Sequence, residues 1–119
     1  MKANDKKRTR ILMVDDNSKK IQKKTIKCFM DIILLTKLRT ASKSAYEMIV
    51  SIQKQFGVVV SSGTVYSHLY ALERNKMICA VHIKGKRKYE LTENGTQHLE
   101  ISFNSIKKTL DILEQDNRL

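Results

Sequence analysis

The sequence predicts a mainly α-helical α+β domain, in which three helices precede a small β-hairpin and a fourth helix follows it. Apolar residues recur at helical spacing in four segments, and the stretch between the third and fourth segments turns back on itself at a Lys-Gly-Lys sequence. The chain has 119 residues, 41% hydrophobic and 6% aromatic, which is room for one domain with an appended helix or tail.

The first predicted helix covers residues 20–38. Its apolar residues recur at alternating steps of four and three, and further apolar residues make its second half apolar on nearly every side. Such a helix is typical of the centre of a small domain or of a surface shared with a partner chain. The recurring positions are Ile21, Thr25, Cys28, Ile32 and Leu35, and the additional ones are Phe29, Ile33 and Leu38.

The second and third predicted helices are marked by their end residues. The second runs from Ser44 to Phe56, and Gly57 suits a left-handed cap after it. Residues 58–60 are expected to be extended, and the third helix starts at Ser61 or Ser62 and ends near Asn75. Its apolar face is Val65, Leu69 and Leu72, whereas its outward face is polar and aromatic but almost uncharged, with Thr64, Ser67, His68 and Tyr70 on it and Tyr66 at its flank.

The hairpin is predicted from a strand over residues 77–83, a tight turn at 84–86 and a returning strand over 88–91. Its tip carries four positive charges within five residues. Thr92 is expected to cap a last helix that ends near Glu114. The apolar positions of that helix have the spacing of a coiled-coil seam, and they are Leu99, Phe103, Ile106, Leu110 and Leu113.

The order of these elements is that of a winged helix-turn-helix, in which a two-stranded wing follows two helices joined by a turn. We therefore divide the chain into a basic, mobile arm at 1–19, a winged helix-turn-helix domain at 20–92, a dimerisation helix at 93–114 and a tail at 115–119.

The chain is strongly basic, with 23 Lys and Arg against 12 Asp and Glu and a formal net charge of +11. Residues 1–27 contain ten basic and three acidic residues, so they contribute +7 and the remainder contributes +4. A charge of this size attracts polyanions, either nucleic acid or an anionic membrane surface.

The sequence favours a cytoplasmic protein without a membrane segment. The N-terminus lacks the apolar core of a signal peptide, and the longest apolar block, residues 28–38, is interrupted by Asp31, Thr36 and Lys37. Cys28 and Cys79 lack metal-ligand spacing and are interpreted as reduced, partly buried thiols. We predict no metal and no cofactor.

The segment Ile11–Asn17 has two open interpretations, a short strand or an apolar part of the tail. Its Asp15-Asp16 pair is also similar to the opening of a response-regulator receiver. That hypothesis is set aside, because a receiver needs a whole further domain with another acidic strand end.

Five segments together resemble the PadR-like transcriptional regulators over about residues 25–113. They are Ser44-Ala-Tyr-Glu-Met-Ile49, Phe56-Gly57, Ser62-Gly-Thr-Val-Tyr66, Leu72-Glu-Arg-Asn-Lys-Met-Ile78 and Arg87-Lys-Tyr-Glu-Leu-Thr-Glu-Asn-Gly95. Ser67 stands where the family usually has Pro, and Ala45 where it often has Gly. The resemblance implies a homodimeric winged helix that binds operator DNA, usually represses, and dimerises through its C-terminal and N-terminal helices.

The predicted DNA contacts lie at the start of the third helix, on the wing and at the start of the second helix. Hydroxyls, including that of Tyr66, and helix N-terminal amides suit phosphates, and the wing cations suit the backbone or the minor groove. His68 and Tyr70 are the residues expected to reach bases. The alternatives are core packing of Tyr46, Tyr66 and Tyr70, a solvated His68 and a hairpin tip that is only solvated. The contacts are Lys43, Tyr46, Ser61, Ser62, Thr64, Tyr66, Ser67, His68, Tyr70, Lys84, Lys86, Arg87 and Lys88.

The predicted dimer interface combines the first and last helices. Packing of the last helix onto its own domain is the alternative. The interface residues are Ile21, Cys28, Ile32, Leu99, Phe103, Ile106, Leu110 and Leu113.

These features predict a sequence-specific double-stranded DNA-binding regulator, a repressor that acts as a homodimer with recognition helix 62–75 in the major groove and wing 84–88 beside it. The alternative is a winged-helix module that binds other proteins in a larger complex. An enzyme is not expected, because the chain has no phosphate loop, nucleophile elbow or zinc spacing. No residue pattern supports a small-molecule effector.

Overall fold

The computed structural model describes residues 16–118, and these form five helices and one antiparallel two-stranded sheet. The order of elements is the one predicted, a helix-turn-helix followed by a wing and a long last helix. The elements are α1 (Asp16–Cys28), α2 (Met30–Lys37), α3 (Ala45–Phe56), α4 (Ser62–Arg74), β1 (Ile78–Ile83), β2 (Lys86–Leu91) and α5 (Glu93–Asp116).

The single helix predicted for residues 20–38 is divided at Phe29 into α1 and α2. Backbone hydrogen bonds continue across the division, because the Phe29 amide donates to the Thr25 carbonyl at 3.1 Å and the Ile33 amide donates to the Phe29 carbonyl at 2.9 Å. α1 begins at Asp16, so residues 16–19 of the predicted arm are helical. The rest of that arm, residues 1–15, lies outside the described residues and includes most of the Ile11–Asn17 segment.

The helix-turn-helix has the predicted cap at Gly57, and Ser44, predicted as the first residue of the helix, is its N-terminal cap. The Ser44 hydroxyl accepts from the Glu47 amide at 3.1 Å, and the Glu47 carboxylate accepts from the Ser44 amide at 3.0 Å, which is a complete capping box. Gly57 ends α3 in the left-handed region with φ 66°, where a side chain would be strained. These caps fix where α3 starts and stops.

The wing is a two-residue hairpin whose turn is Lys84-Gly85, with φ of 54° and 77°. β2 therefore starts at Lys86, two residues before the predicted start. On its other side β2 pairs with Lys43, since the Tyr89 amide donates to the Lys43 carbonyl at 2.8 Å and the Lys43 amide donates to the Tyr89 carbonyl at 3.2 Å. The base of the wing is thus bonded directly to the segment that leads into α3.

The core lies between α2, α3, α4 and the base of the wing. It is aliphatic, as the scarcity of aromatic residues predicted, and Tyr89 is its one aromatic member among the buried residues described. The largest fully buried side chains are Met30, Leu34, Leu35, Met48, Ile52, Val65, Leu69 and Ile78.

The helix α5 joins this core only through its first turns. Thr92 caps it, accepting from the Gly95 amide at 3.0 Å, and Gly95 and Leu99 are buried. Leu99 is 3% exposed, which corrects its assignment to the dimer interface, because it packs inside its own domain. Ile32 also packs partly against that core. Cys28 and Cys79 are both exposed, so the predicted partial burial of these thiols is wrong.

Candidate nucleic-acid interface

The outward face of α4 carries hydroxyl and aromatic side chains that are accessible. Tyr66 is 52% exposed and Tyr70 is 66% exposed, so neither is the core residue that was the alternative. Ser62 and Ser67 are also exposed. Because residues four apart share a helix face, Ser62, Tyr66 and Tyr70 form one stripe.

Two hydroxyls at the start of α4 are already engaged with the helix itself. The Ser61 Oγ accepts from the Thr64 amide at 3.1 Å and lies 2.8 Å from the Thr64 Oγ1. Both were predicted phosphate ligands, but this geometry makes Ser61 the N-terminal cap and Thr64 its neighbour. The exposed hydroxyl left at this helix start is that of Ser62.

His68 faces the neighbouring helix α2. Its Nδ1 lies 2.6 Å from the Asp31 Oδ1, and its side chain is 34% exposed. The ring is thus held against Asp31 between α4 and α2, and its contact with DNA stays a prediction.

The basic tip of the wing is divided between two paired and two unpaired cations. The Arg87 Nη2 donates to both carboxylate oxygens of Glu73, at 3.0 and 3.3 Å, and its guanidinium lies 5.4 Å from the centre of the Tyr89 ring. The Lys88 Nζ lies 3.4 Å from the Glu47 Oε1. Arg87 thus ties the wing to α4 and Lys88 ties it to α3, so these two predicted DNA contacts are engaged within the protein.

The remaining tip cations, Lys84 and Lys86, are exposed and form no ion pair within residues 16–118. They extend beyond the two ties at the end of the hairpin. Their ammonium groups are therefore the part of the wing tip that is available to an external anion.

Electrostatics support the two ties. The pKa of Arg87 is raised above its ordinary value, most by its hydrogen bond with Tyr89 and further by the charge of Glu73. The pKa of the Glu47 carboxyl lies below its ordinary value of 4.5, first because of its hydrogen bonds with Ser44 and then because of the Lys88 ammonium. Glu47 therefore stays ionised at neutral pH and serves both the helix cap and the wing.

The start of α3 presents the last two predicted contacts. Tyr46 is 73% exposed, so it is not the core residue that was the alternative. Lys43 is half-buried at its backbone pairing with Tyr89, and its side chain lines a groove on α3.

The last helix exposes apolar side chains along its second half. Phe103, Leu110 and Leu113 are between 46% and 50% exposed, and they share a face with the half-buried Ile106. In α1, Ile21 and Cys28 are exposed. An apolar helix face that its own domain leaves uncovered is suited to a partner surface.

The sequence pattern of the ferric uptake regulator family matches residues 31–118, which is most of the chain. The chain belongs to the ferric uptake regulator family. A comparison with curated proteins found no match.

Solved structures give the fold independently. A PadR family transcriptional regulator from Eggerthella lenta superposes with a TM-score of 0.76 at 18% identity, covering 87% of this chain and 95% of that one. A transcriptional regulator from Clostridium thermocellum has a TM-score of 0.71 at 19% identity, with 89% and 100% covered. Bacillus subtilis PadR in complex with operator DNA has a TM-score of 0.56 at 22% identity, with 62% and 46% covered.

These likenesses confirm the predicted α+β winged-helix fold, which is also that of F93 from STIV, a winged-helix DNA-binding protein. The structural neighbours support the predicted resemblance to PadR-like regulators, while the sequence match gives the ferric uptake regulator family. The family and the neighbours named here are regulators rather than enzymes.

The family name refers to iron, which proteins bind through clusters of His, Cys, Asp and Glu side chains. Within residues 16–118, no three His, Cys, Asp or Glu side chains lie close enough together to hold a metal ion. The described part of the chain therefore does not offer the ligands that an iron ion would need. In that same part, no helix is both long enough and apolar enough to span a bilayer.

Sequence reasoning missed Arg74, Glu73 and Glu47. Arg74 is exposed, its guanidinium lies 5.5 Å from the centre of the Tyr70 ring, and its position four residues after Tyr70 extends the stripe of α4. Helical spacing alone would have found it. The two glutamates act through contacts with the wing, 14 and more residues away in sequence, and no local pattern indicates them.

Proposed function

We propose that this family member is a sequence-specific double-stranded DNA-binding transcriptional regulator of the PadR-like type. The observation that carries the proposal is the outward stripe of α4, where Ser62, Tyr66 and Tyr70 are exposed on a helix that follows a helix-turn. Such a helix enters the major groove with its first turns near the base edges. The neighbours that are described as DNA-binding or bound to operator DNA support this assignment.

Gly63 adds a second argument for close approach at this helix start. A Cβ atom built on Gly63 would meet nothing within 4 Å, so the fold itself does not require glycine there. Glycine in a helix costs stability relative to alanine. A phosphate that comes close to the exposed amides of the first turn would require it, because it needs the space a side chain would take.

The wing is proposed to lie on the backbone or in the minor groove through Lys84 and Lys86. Arg87 and Lys88 hold the hairpin against α4 and α3, so they set the direction of the tip rather than touch DNA. The ion pairs of Arg87 and Lys88 thus position the wing, and the unpaired Lys84 and Lys86 attract the phosphates.

We further propose that the regulator works as a homodimer. The exposed apolar face of α5 supports this, together with Ile21 and Cys28 of α1. Two copies related by a two-fold axis present two copies of α4 about 34 Å apart, which is one turn of DNA. Repression is the mode of action that the PadR-like resemblance implies, since a dimer on an operator blocks access to the promoter.

The test is selection from a pool of random duplexes by the purified protein. We expect enrichment of a two-fold symmetric sequence with half-sites centred roughly 10 base pairs apart. The double variant Tyr66→Ala, Tyr70→Ala should keep weak, salt-sensitive binding but enrich no sequence. It removes the phosphate contact assigned to Tyr66 and the base contact assigned to Tyr70, and it leaves the wing lysines in place. The control variant Ile101→Ala alters an exposed side chain on α5 and should enrich the same sequence as the wild type.

Absence of duplex binding at about 50 mM salt would overturn the proposal, because phosphate attraction alone should retain DNA there. Stable co-purification with another protein, in place of DNA binding, would identify the chain as an interaction module.

A further inference from the structure

A groove runs along the solvent-facing side of α3, starting at the predicted contacts Lys43 and Tyr46 and extending beyond them. It has a volume of about 760 Å³ and is open to solvent. Its lining residues come from α2, the segment before α3 and α3 itself, and they include Lys37, Lys43, Tyr46, Ser51, Lys54 and Gln55.

Three ammonium groups surround this groove, and within residues 16–118 none of them forms an ion pair. The lining also contains one carboxylate, that of Glu47. It is already committed to the Ser44 amide and to the Lys88 ammonium. The groove therefore holds an uncompensated positive charge.

Lys37 shows that this charge is kept in place by neutral groups. Its Nζ donates to the Ser51 Oγ at 2.8 Å and to the Gln55 Oε1 at 2.7 Å. Burial lowers the pKa of Lys37 below its ordinary value, and the charge of Lys43 lowers it further. An anion in the groove would offset both effects. The Ser51 hydroxyl accepts from Lys37, so its own hydrogen is free to point outward to such an anion.

We propose that this groove binds the phosphodiester backbone of the duplex, beside the stretch that α4 contacts. The inference rests on the proposed function and extends it. Tyr46 and Lys43, at one end of the groove, are predicted DNA contacts, and Lys43 is bonded to the base of the wing. From Tyr46 to Gln55 the groove spans roughly 13 Å of helix axis, at 1.5 Å per residue. That length is several times the ~3.4 Å axial spacing of phosphates on one strand, so the groove has room for more than one phosphate.

The test compares variants that remove one positive charge, either inside or outside the groove. Lys54 is exposed and forms no ion pair in the described part of the chain, so Lys54→Gln should fold normally. We expect it to reduce the steepness of log Kd against log salt by about 0.9 per engaged protomer, which is the contribution of one phosphate contact. Lys54→Arg should restore the wild-type slope. Lys108→Gln, with the same charge change on α5, should leave the slope unchanged.

Two arms separate the possible outcomes. A Lys54→Gln protein with the salt slope of Lys108→Gln would overturn the groove proposal while leaving the proposed function intact. A wild-type protein that binds no duplex would overturn both. A small phosphate compound is tested as the alternative occupant of the groove. Pyrophosphate is titrated into DNA-free protein, and its binding is monitored by the NMR shifts of the backbone amides. If pyrophosphate shifts the amides of Ser51 and Gln55 while Lys54→Gln leaves DNA binding unchanged, the occupant is a small phosphate and not DNA.

Discussion

Two glycines of this chain have opposite roles, although both belong to the segments that resemble PadR-like regulators. At Gly95 a Cβ atom would overlap the Met77 carbonyl oxygen and lie 2.8 Å from the Leu91 Cδ1. That carbonyl also accepts from the Thr92 amide, so it has no room to move. At Gly63 the same atom would meet open space. Packing within the protein requires glycine at position 95. The space beside Gly63 is open, so a molecule outside the protein, such as DNA, can approach the backbone there.

Substitution by alanine should therefore separate folding from binding. Gly95→Ala is expected to destabilise the fold by about 3 kcal/mol and to lower Tm by about 10 °C or more, because backbone must shift. Gly63→Ala should raise Tm slightly, by the helix preference for alanine, and weaken DNA binding about tenfold through one lost phosphate contact. Thermal unfolding and fluorescence anisotropy measure the two effects. A Gly63→Ala protein with wild-type affinity would show that DNA does not come close at this position.

At the scale of single residues, the sequence predicted caps and glycine turns well, because these depend on neighbours within four positions. Ser44, Gly57, Ser61 and Thr92 all cap helices as their types suggest. Which cations were free was not predictable. Arg87 and Lys88 look like Lys84 and Lys86 in sequence, and only the folded hairpin brings the first two against Glu73 and Glu47.

In the wing, DNA binding and stability are expected to depend on different residues. Lys86→Ala should weaken DNA binding and flatten its salt dependence, with Tm unchanged, because Lys86 has no ion pair in the described residues. Arg87→Ala should lower Tm, since it removes the tie to α4. Combined with Glu73→Ala, it should lower Tm by less than the two single changes added together, because the second change removes nothing more from a broken pair.

The readouts are thermal unfolding for the pair and anisotropy for Lys86. Strict additivity of Arg87→Ala and Glu73→Ala would contradict a tie between wing and α4. Equal losses of DNA affinity in Lys86→Ala and Arg87→Ala, at unchanged Tm, would return Arg87 to the set of direct contacts.

The elements themselves were largely predictable from periodicity, and their exact junctions were not. Phe29 lies in an apolar run without Gly or Pro, so nothing local indicates the division between α1 and α2. β2 gained Lys86 and Arg87, because the turn closes on two residues in left-handed conformations. The pairing of Lys43 with Tyr89 joins residues 46 positions apart, which pattern analysis does not reach.

At the scale of the whole molecule, the main prediction concerns the dimer. The apolar face of α5 contains Phe103, Ile106, Leu110 and Leu113, whereas Ile101 and Ile112 lie roughly 160–180° from Leu110 around the helix. Leu110→Asp should raise the dimer Kd by about 100-fold or more, because association would bury an unpaired charge. Ile112→Asp makes the same chemical change on the other side and should leave the dimer intact. Sedimentation or light scattering at several concentrations distinguishes the two.

A monomeric wild-type protein, or equal effects of Leu110→Asp and Ile112→Asp, would exclude this face as the dimer interface. Leu99 illustrates why the sequence alone overextended the interface. It has the same heptad spacing as Leu110, but it falls where α5 is still packed against α2 and the core.

The early exit of α5 from the core has a mechanical consequence. From Leu99 to Asp116 the helix projects roughly 25 Å beyond its last buried residue, at 1.5 Å per residue, so it is a lever with its pivot at α2. A rocking of about 10° at the pivot displaces the far end by about 4 Å, a distance similar to one base-pair step. Small volume changes around the pivot would therefore retune the half-site distance of a paired assembly without altering any side chain that meets the nucleic acid.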